Sequence, residues 1–509
     1  MNKIAGDTCL SDSLSALLKA KFKENRLPFL TSLFAGLLTY MYCFTNKFET
    51  MDDLACFFGT GSSLVLGRWG LKLSELFFPM CSVPWLNGMI SLLFLCMAVC
   101  TIVRMFSLKD PVIVVLLSAL MVSFPAQVCT FGYMYTAPQY AFTLFLATLS
   151  ARIVSECRNR KEFIVAVAIL TLSVGIYQAY VAEAASLLVV YCLLCVLRGE
   201  NGKTILRKGL LYIAMLAASM AFYMLINFTV NKMFAVEMSE YATESLSGID
   251  QYLFGIRVAY TAFLGYFTKG YYDLIPTKTS LVFHVIAAIV VLVLLIRHFS
   301  KKENRTEGKL GVFLLCLALF PLAVDCIRVI STLFHNLMLF SFTSVYVLTA
   351  VAFENCSPDL SKKGRGCVKD ILAACMIVVA VINLYYANAV FMKLFMQFEQ
   401  AHSFYTSIVT ELRQDPDFNE DSVVCVVGDN DIFDNAGIDL NNLAGMREGI
   451  VGTYSQSEFV RFYLGLTLEV AGWDITDVLA EREEVIQMPP YPYFGSVQKL
   501  DGYYVIRLG

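Results

Sequence analysis

Long apolar runs recur along most of this 509-residue chain, and they constrain its fold more than any other feature. A helix of ~20 apolar residues, rising ~1.5 Å per residue, crosses a hydrocarbon core of ~30 Å. Because lipid offers no hydrogen-bond partners, the backbone must satisfy its own polar groups, which favours an α-helix for each run. The sequence therefore predicts an α-helical polytopic membrane protein. About eleven spans are predicted, at 27–45, 85–103, 111–128, 139–153, 163–177, 180–197, 210–230, 281–296, 310–323, 337–353 and 371–389.

Composition agrees with this class and excludes others. Only 16% of the residues are charged, against about 25% in an ordinary soluble domain. The net charge of -3 argues against a nucleic-acid partner. Many of the sixteen cysteines lie inside apolar runs, where Cys behaves as a small hydrophobic residue. Neither a disulfide framework nor a zinc site is therefore predicted.

Basic residues mark one side of the predicted bundle. Lys and Arg collect on the cytoplasmic side of membrane proteins, and here they precede the first run and then follow every second run. That alternation predicts a cytoplasmic N-terminal segment at 1–26 and an outward-facing loop at 46–84. The clusters lie at 19–26, 104–109, 158–161, 198–208, 297–305 and 362–369.

The composition changes after the last predicted span, so the transmembrane domain is placed at 27–390 and a second domain at 391–509. The final outward crossing makes this second, small α/β domain extracytoplasmic. Helices are predicted at 391–413, 456–471 and 476–484, and strands at 422–427 and 503–508. The sequence GDND at 428–431 lacks the spacing of a calcium loop and is predicted as a turn.

The first outward loop carries the residues with the clearest chemistry. It contains the pair Asp52 and Asp53, followed by Gly67, Arg68 and Trp69. A carboxylate can accept the proton of an attacking sugar hydroxyl, and a guanidinium can bind a departing phosphate through two hydrogen bonds. The alternative is structural, because two Asp residues before an apolar helix also cap its N-terminus.

Further motifs follow in an ordered series: YTAPQ at 135–139 and GIYQAY at 175–180. Together with the acidic pair and Gly67-Arg68-Trp69, they give a chain that resembles the type II O-antigen glucosyltransferases, the Gtr group, over 27–390. The resemblance implies a GT-C fold in a bacterial cytoplasmic membrane. It also implies a polyprenyl-phosphate-linked hexose donor, with glucose as the sugar, and a cell-surface glycan acceptor on the outer face.

The resemblance also implies roles for residues and partners. An acidic residue of the first outer loop acts as general base in an inverting transfer. Here it is Asp53 or Asp52; we favour Asp53, with Asp52 positioning the acceptor, although the sequence does not separate them. A flippase and a polyprenyl-phosphate glucosyltransferase are the implied partner proteins. No cofactor is predicted, because a monophosphate can leave without a metal, but a divalent metal stays an open alternative.

Three arginines are candidates for binding the donor phosphate: Arg68, Arg328 and Arg257. Arg328 could instead pair with Asp325 at i, i+3. Arg257 and Lys269 interrupt an apolar segment at 251–270, which is predicted as an amphipathic or re-entrant piece, and both could simply snorkel. His335 is predicted to be a structural residue near the interface.

Candidates for binding the sugar or the acceptor lie near the same predicted face. Aromatic rings stack on pyranose rings, but an aromatic belt at the interface is the alternative for each. A carboxyl within an apolar run is costly, so Glu183 either binds sugar or pairs with a buried neighbour. The candidates are Trp69, Tyr135, Gln139, Tyr177, Gln178 and Glu183.

Two other functions compete with glycosyl transfer. A transporter or flippase for lipid-linked sugars is typified by internal repeats and broken helices at the membrane centre, and the sequence has no evident repeat. An O-antigen-type polymerase fits the early acidic loop less well. The chain also lacks a Gly-rich phosphate loop, which favours a lipid-linked donor over a nucleotide sugar.

Overall fold

The computed structural model describes residues 10–46, 49–57, 63–238, 249–268, 277–306, 308–331, 334–419, 421–428 and 450–508. Most of these residues are helical. The first ten helices are α1 (Leu10–Thr45), α2 (Met51–Ala55), α3 (Trp69–Ser74), α4 (Pro84–Met105), α5 (Pro111–Val122), α6 (Pro125–Phe131), α7 (Ala137–Ser155), α8 (Arg160–Ile176), α9 (Val181–Leu197) and α10 (Gly202–Phe234). The next six are α11 (Ile249–Thr268), α12 (Lys278–Ser300), α13 (Lys309–Val324), α14 (Ile327–Ile330), α15 (Ser344–Cys356) and α16 (Lys362–Leu412).

Several helices are long and apolar enough to cross a membrane. Within the described part of the chain there are six, or seven if α5 and α6 form one bent span. The bend of 41° falls just before Pro125, and proline disfavours helical geometry in the residue that precedes it. The other predicted spans are found as α7, α8, α13 and α15, with 19, 17, 16 and 13 residues. The total of eleven therefore remains a prediction.

The outer surface of the helical part is apolar, as expected in lipid. On α10, the side chains of Phe222, Leu225 and Phe228 are 52, 59 and 68% exposed. Such a face would be unfavourable in water, and it is typical of helices that contact acyl chains. The protein is therefore a membrane protein.

A single helix, α16, joins the membrane part to the C-terminal part. It runs for 51 residues from Lys362 to Leu412 without a break. The predicted last span at 371–389 and the predicted helix at 391–413 are thus one element, and the predicted domain boundary at 390 lies inside it. Neither Pro nor Gly occurs between Cys367 and Leu412, so nothing in the sequence interrupts it.

The C-terminal part contains a four-stranded sheet with strand order β2-β1-β4-β3. Its strands are β1 (Val423–Val427), β2 (Glu469–Val470), β3 (Val497–Leu500) and β4 (Tyr503–Arg507). β1 pairs in parallel with β2 and β4, and β3 pairs antiparallel with β4. The strands predicted at 422–427 and 503–508 are confirmed to within one residue at each end.

The helix predicted at 456–471 is wrong in its second half. Helix α17 (Gln456–Phe459) continues as a π-helical turn, Val460–Leu464, and ends at Gly465. Gly465 has φ +66°, the left-handed geometry that commonly terminates a helix. Two short helices, α18 (Trp473–Ala480) and α19 (Glu483–Gln487), follow in place of the one predicted at 476–484.

Helix α2, which carries Asp52 and Asp53, packs at the junction of the membrane helices and the C-terminal part. Leu54 of α2 is fully buried in a cluster with Phe398 and Tyr405 of α16 and Val424 of the sheet. This contact fixes α2 between the membrane helices and the C-terminal part. The segment predicted at 251–270 forms the helix α11, and Lys269 and residues 429–431 lie outside the described residues.

Candidate active site

Helix α2 presents the two aspartates, and its position is set by its first residue. Thr50 caps the helix, its hydroxyl accepting from the Asp53 N–H at 3.4 Å. The same hydroxyl donates to the carbonyl of Gly132 at 2.8 Å. The start of α2 is thereby tied to the turn between α6 and α7, the segment that carries Tyr135.

Asp53 is held against that turn by both of its oxygens. Oδ1 accepts from the Tyr135 N–H at 2.9 Å, and Oδ2 accepts from the Met134 N–H at 3.2 Å. The residue is only 3% exposed. Burial raises the pKa of Asp53 well above its usual value; the two N–H groups lower it, and the nearby charges of Glu49 and Asp52 raise it. Asp53 therefore links two loops and has little access to a ligand in this conformation.

Asp52 has a different environment. It is half-buried, and its Oδ1 accepts a hydrogen bond from the hydroxyl of Tyr454. Tyr454 lies in the C-terminal part, 402 residues along the chain. The two adjacent carboxylates thus point in different directions, one into the protein and one toward the C-terminal part.

A third carboxylate, Glu49, lies close to this pair, and residues 49–53 are together called the acidic segment. Glu49 is 5% exposed, and its Oε2 accepts from the hydroxyl of Tyr463 at 2.5 Å. It lies near enough to Asp53 to raise the pKa of that residue. Glu49 was not predicted from the sequence, although it lies only three residues before Asp52. Among the described residues, no group of three His, Cys, Asp or Glu side chains is arranged to hold a metal ion.

Arg68 lies among aromatic side chains. Its Nη1 donates to the hydroxyl of Tyr140 at 3.0 Å, and its guanidinium carbon lies 5.1 Å from the centre of the Tyr177 ring. Tyr140 and Tyr177 stack on each other with ring centres 4.3 Å apart. Cation–π contact and the phenolic hydrogen bond together fix the orientation of the guanidinium.

The turn before Arg68 is held by Gln178, between α8 and α9, and by Tyr223 of α10. Gly67 has φ +70°, and a Cβ there would lie 2.7 Å from the Tyr223 hydroxyl. Gln178 donates from Nε2 to the Leu66 carbonyl at 3.0 Å and to the Tyr223 hydroxyl at 2.9 Å. Tyr223 in turn donates to the Gly67 carbonyl at 3.0 Å. Gln178 therefore positions residues 66–68, called the arginine loop. Its predicted contact with sugar stays a prediction.

Trp69 is packed through a close contact between two glycines. A Cβ on Gly175 would lie 2.4 Å from the Trp69 ring, and one on Gly70 would lie 2.7 Å from the Gly175 backbone. The start of α3 can approach the end of α8 only because both positions lack a side chain. The indole Nε1 is buried and has no hydrogen-bond partner among the described residues.

His335 couples the acidic segment to the arginine loop. Burial lowers the pKa of His335, the nearby charge of Arg68 lowers it further, and Asp52 raises it. The charges of Asp52 and Arg68 therefore act on one imidazole. His335 follows Phe334, whose ring lies 3.0 Å from the guanidinium carbon of Arg328. Arg328 also pairs with the fully buried Asp325, with 3.9 Å between Nε and Oδ2.

The family model for glucosyl transferase GtrII matches residues 41–353. The matched region contains the acidic segment, the arginine loop and His335. The chain belongs to the GtrII glucosyl transferase family. No curated protein and no solved structure matches the chain significantly.

Membership in the GtrII family confirms the resemblance drawn from the sequence motifs, over a somewhat shorter range than the predicted 27–390. It makes the protein a membrane glucosyltransferase, whose reaction involves a sugar donor and a glycan acceptor. The matched range ends at residue 353, before α16 and the sheet. Tyr454 and Tyr463, which bind Asp52 and Glu49, therefore lie outside the family model.

The structure brings together only some of the predicted GtrII site residues. Asp53, next to Asp52, binds the Tyr135 N–H, and Arg68 contacts Tyr177; His335 lies close enough to both Asp52 and Arg68 for each to shift its pKa. Arg328 reaches the same region through Phe334 and His335. These roles in catalysis and binding stay predictions, since the contacts describe geometry alone.

Three other candidates have different environments. Arg257 is exposed on α11, the helix whose Gly255 packs against the Arg328 backbone. Gln139 is fully buried and donates from Nε2 to the Phe78 carbonyl at 2.8 Å. Glu183 is also fully buried, and neither carboxyl oxygen has a hydrogen-bond partner among the described residues.

Proposed function

We propose that this GtrII-family protein transfers glucose from a polyprenyl-phosphate donor to a cell-surface glycan, with inversion at the anomeric carbon. The observation that carries the proposal is that Asp52 of α2 and Arg68 both lie close enough to His335 to shift its pKa, within the matched region. A base for the acceptor hydroxyl and a cation for a phosphate are the two groups that such a transfer needs. Family membership favours transfer over transport or polymerisation.

Asp52 is the carboxylate that we assign as the general base. It is half-buried and its hydrogen-bond partner is a partly exposed phenol, so an acceptor hydroxyl can reach it. Asp53 uses both oxygens to bind backbone N–H groups and is nearly inaccessible. We therefore assign Asp53 to holding α2 in place. This differs from the preference for Asp53 drawn from the sequence alone, and the same pair of variants tests both.

The proposed step balances without a metal ion or a cofactor. The acceptor oxygen forms a bond to the anomeric carbon while its proton passes to Asp52. The bond from the anomeric carbon to the phosphate oxygen breaks, and its electron pair stays on the polyprenyl phosphate. Arg68, which like Asp52 lies close enough to His335 to shift its pKa, neutralises the charge that develops on the phosphate.

The proposal places the acidic segment on the outer face of a bacterial cytoplasmic membrane. α4 supports this orientation. Near its start, the Asn87 side chain donates to the carbonyls of Cys81 and Met134, close to the acidic segment. Near its end, Arg104 pairs with Glu24 at 2.9 Å, among the basic residues expected in the cytoplasm. A GT-C architecture, an extracytoplasmic C-terminal domain and a partner flippase complete the proposal.

The decisive experiment compares Asp52→Asn with Asp53→Asn in purified protein, using polyprenyl-phosphate glucose and the source cell's surface polysaccharide as substrates. Loss of a general base typically costs about 10²–10⁴ in rate. We expect Asp52→Asn to lose this much activity with an unchanged Tm. Asp53→Asn should lower the Tm, because an amide group cannot accept from both N–H donors.

Each alternative predicts a different outcome. Full activity of Asp52→Asn, with an inactive but equally stable Asp53→Asn, returns the role of base to Asp53. Full activity of both variants overturns the proposed mechanism. If the wild-type protein transfers no sugar from any polyprenyl-phosphate hexose, the proposed donor class is wrong.

A further inference from the structure

We infer that a C-terminal segment outside the family model, residues 450–464, forms the acceptor subsite, with the rings of Tyr454 and Phe462 as a platform for a pyranose ring. This inference rests on the proposed function, because it assigns the acceptor side of the same site. The ligand class is a neutral glycan that presents a free hydroxyl toward Asp52.

Tyr454 combines a hydrogen bond to the proposed base with an accessible ring. Its hydroxyl donates to Asp52, yet the residue is 52% exposed. An exposed aromatic ring beside a carboxylate is the arrangement that binds a sugar, with an apolar face for stacking and an acceptor for a hydroxyl. Tyr133 lies in the same neighbourhood: burial raises its pKa most, and its proximity to Asp52 and Tyr454 raises it further.

A second ring extends this surface. Phe462 is 38% exposed and stacks on Phe57, with ring centres 5.2 Å apart and an interplanar angle of 29°. Phe57 lies two residues beyond the end of α2, so both Tyr454 and Phe462 lie against the segment 51–57. The guanidinium of Arg461 lies 5.9 Å from the Phe462 ring at the edge of the surface. Tyr454 thus contacts Asp52, and Phe462 contacts Phe57, five residues further along the same short segment.

The segment is anchored on its other side, which makes it a fixed platform. Phe459 is fully buried, and its ring packs on Phe398 of α16 at 5.4 Å. Gln456 accepts from the Tyr405 hydroxyl at 2.8 Å, also on α16. Tyr463 binds Glu49. A platform held at three points loses little entropy when a ligand binds.

The hydrogen bond between Tyr454 and Asp52 sets the order of events. An acceptor hydroxyl that donates to Asp52 takes the place of the phenol at the same carboxylate oxygen. The Tyr454 ring then contacts the sugar while its hydroxyl is released to water. The ring of Tyr454 therefore contributes to acceptor binding, and its hydroxyl competes with the acceptor.

The test measures acceptor binding and transfer separately in nanodisc-reconstituted protein. The probe is a set of tri- to pentasaccharides cleaved from the source cell's surface polysaccharide. We expect Tyr454→Ala and Phe462→Ala to weaken binding about tenfold, the usual order for loss of a central aromatic contact. Tyr454→Phe keeps the ring, so it should bind at least as tightly as wild type. Tyr493→Ala, a similarly exposed tyrosine at 67%, is the matched control.

The readouts keep this inference distinct from the proposed function. Phe462→Ala should raise the acceptor KM with little change in kcat, whereas Tyr493→Ala should keep both at wild-type values. Wild-type affinity in both alanine variants overturns the subsite. Binding that fails equally in Tyr454→Phe and Tyr454→Ala also overturns it, because the ring would then contribute nothing. If no transfer is found but oligosaccharides bind as described, the subsite stands and the proposed donor is wrong.

Discussion

Three carboxylates within five positions differ because of what each one contacts. Glu49 meets a phenol, Asp52 meets another phenol at the surface, and Asp53 meets two backbone N–H groups. The pair Asp52 and Asp53 was predicted from the sequence, together with its capping alternative, but Glu49 was not. The N-cap of α2 is Thr50, and the two aspartates lie in the first turn of the helix, so the catalytic role of the pair stays a prediction. The partners of these side chains lie 81 to 414 residues away, and no local pattern signals contacts at that range.

The pH dependence of stability follows from the buried Asp53. Its folded-state pKa is raised, so the folded protein holds this proton more tightly than the unfolded chain does. The stabilising contribution is fully present below the unfolded pKa and is lost as the pH rises through the folded pKa. We expect the Tm difference between wild type and Asp53→Asn to narrow as the pH rises. Parallel Tm curves from pH 4 to pH 9 would contradict the assignment.

Arg68 is predicted to act on a phosphate and on His335 together. Arg68→Gln should raise the pKa of His335, because the nearby positive charge that opposes protonation is removed. Removing one group that stabilises a developing anion typically costs about 10²–10³ in rate. NMR titration of the four histidines and a transfer assay measure the two effects. Arg257→Gln is the control. Equal changes in the transfer rate and in the pKa of His335 in both variants would contradict the role assigned to Arg68.

At the scale of elements, the sequence predicted the presence of a helix better than the residues at which it begins and ends. The period and length of apolar runs were enough to locate α4, predicted at 85–103 and found at Pro84–Met105. The turn at Gly67 was not predicted, because its geometry depends on Gln178 and Tyr223, which lie more than 100 residues further along the chain. The π-helical turn after α17 has no pattern in the sequence that distinguishes it from an α-helix.

The contact between α3 and α8 gives a test at this scale. Gly175→Ala places a methyl group 2.4 Å from the Trp69 ring, so α3 must shift and carry Arg68 with it. Overpacking of this kind costs about 1–3 kcal/mol, and we expect a lower Tm and reduced transfer. Gly209→Ala in α10, where nothing lies within 4 Å of the new methyl, should keep both at wild-type values. Wild-type activity in Gly175→Ala would show that α3 does not need this approach.

For the whole molecule, the parity of the spans decides which side the C-terminal part occupies. Eleven or seven crossings from a cytoplasmic N-terminus leave it outside, and six leave it inside. We expect a fusion of alkaline phosphatase after Gly509 to be enzymatically active and a fusion of green fluorescent protein to be dark. The reverse pattern would place the sheet in the cytoplasm and separate it from an external glycan acceptor.

Because α16 is unbroken, the rotation of the C-terminal part relative to the membrane part depends on the number of residues in this helix. Its 51 residues extend for about 76 Å, more than twice a ~30 Å hydrocarbon core. Any residue added to α16 turns everything beyond it by about 100° and advances it by about 1.5 Å. One alanine inserted after Met396 would swing Tyr454 away from Asp52, whereas seven would nearly restore the angle but displace it along the axis by about 10 Å. The distance and angle between Asp52 and Tyr454 therefore depend on the number of residues in α16. A deletion or duplication in this helix changes both by a fixed amount per residue.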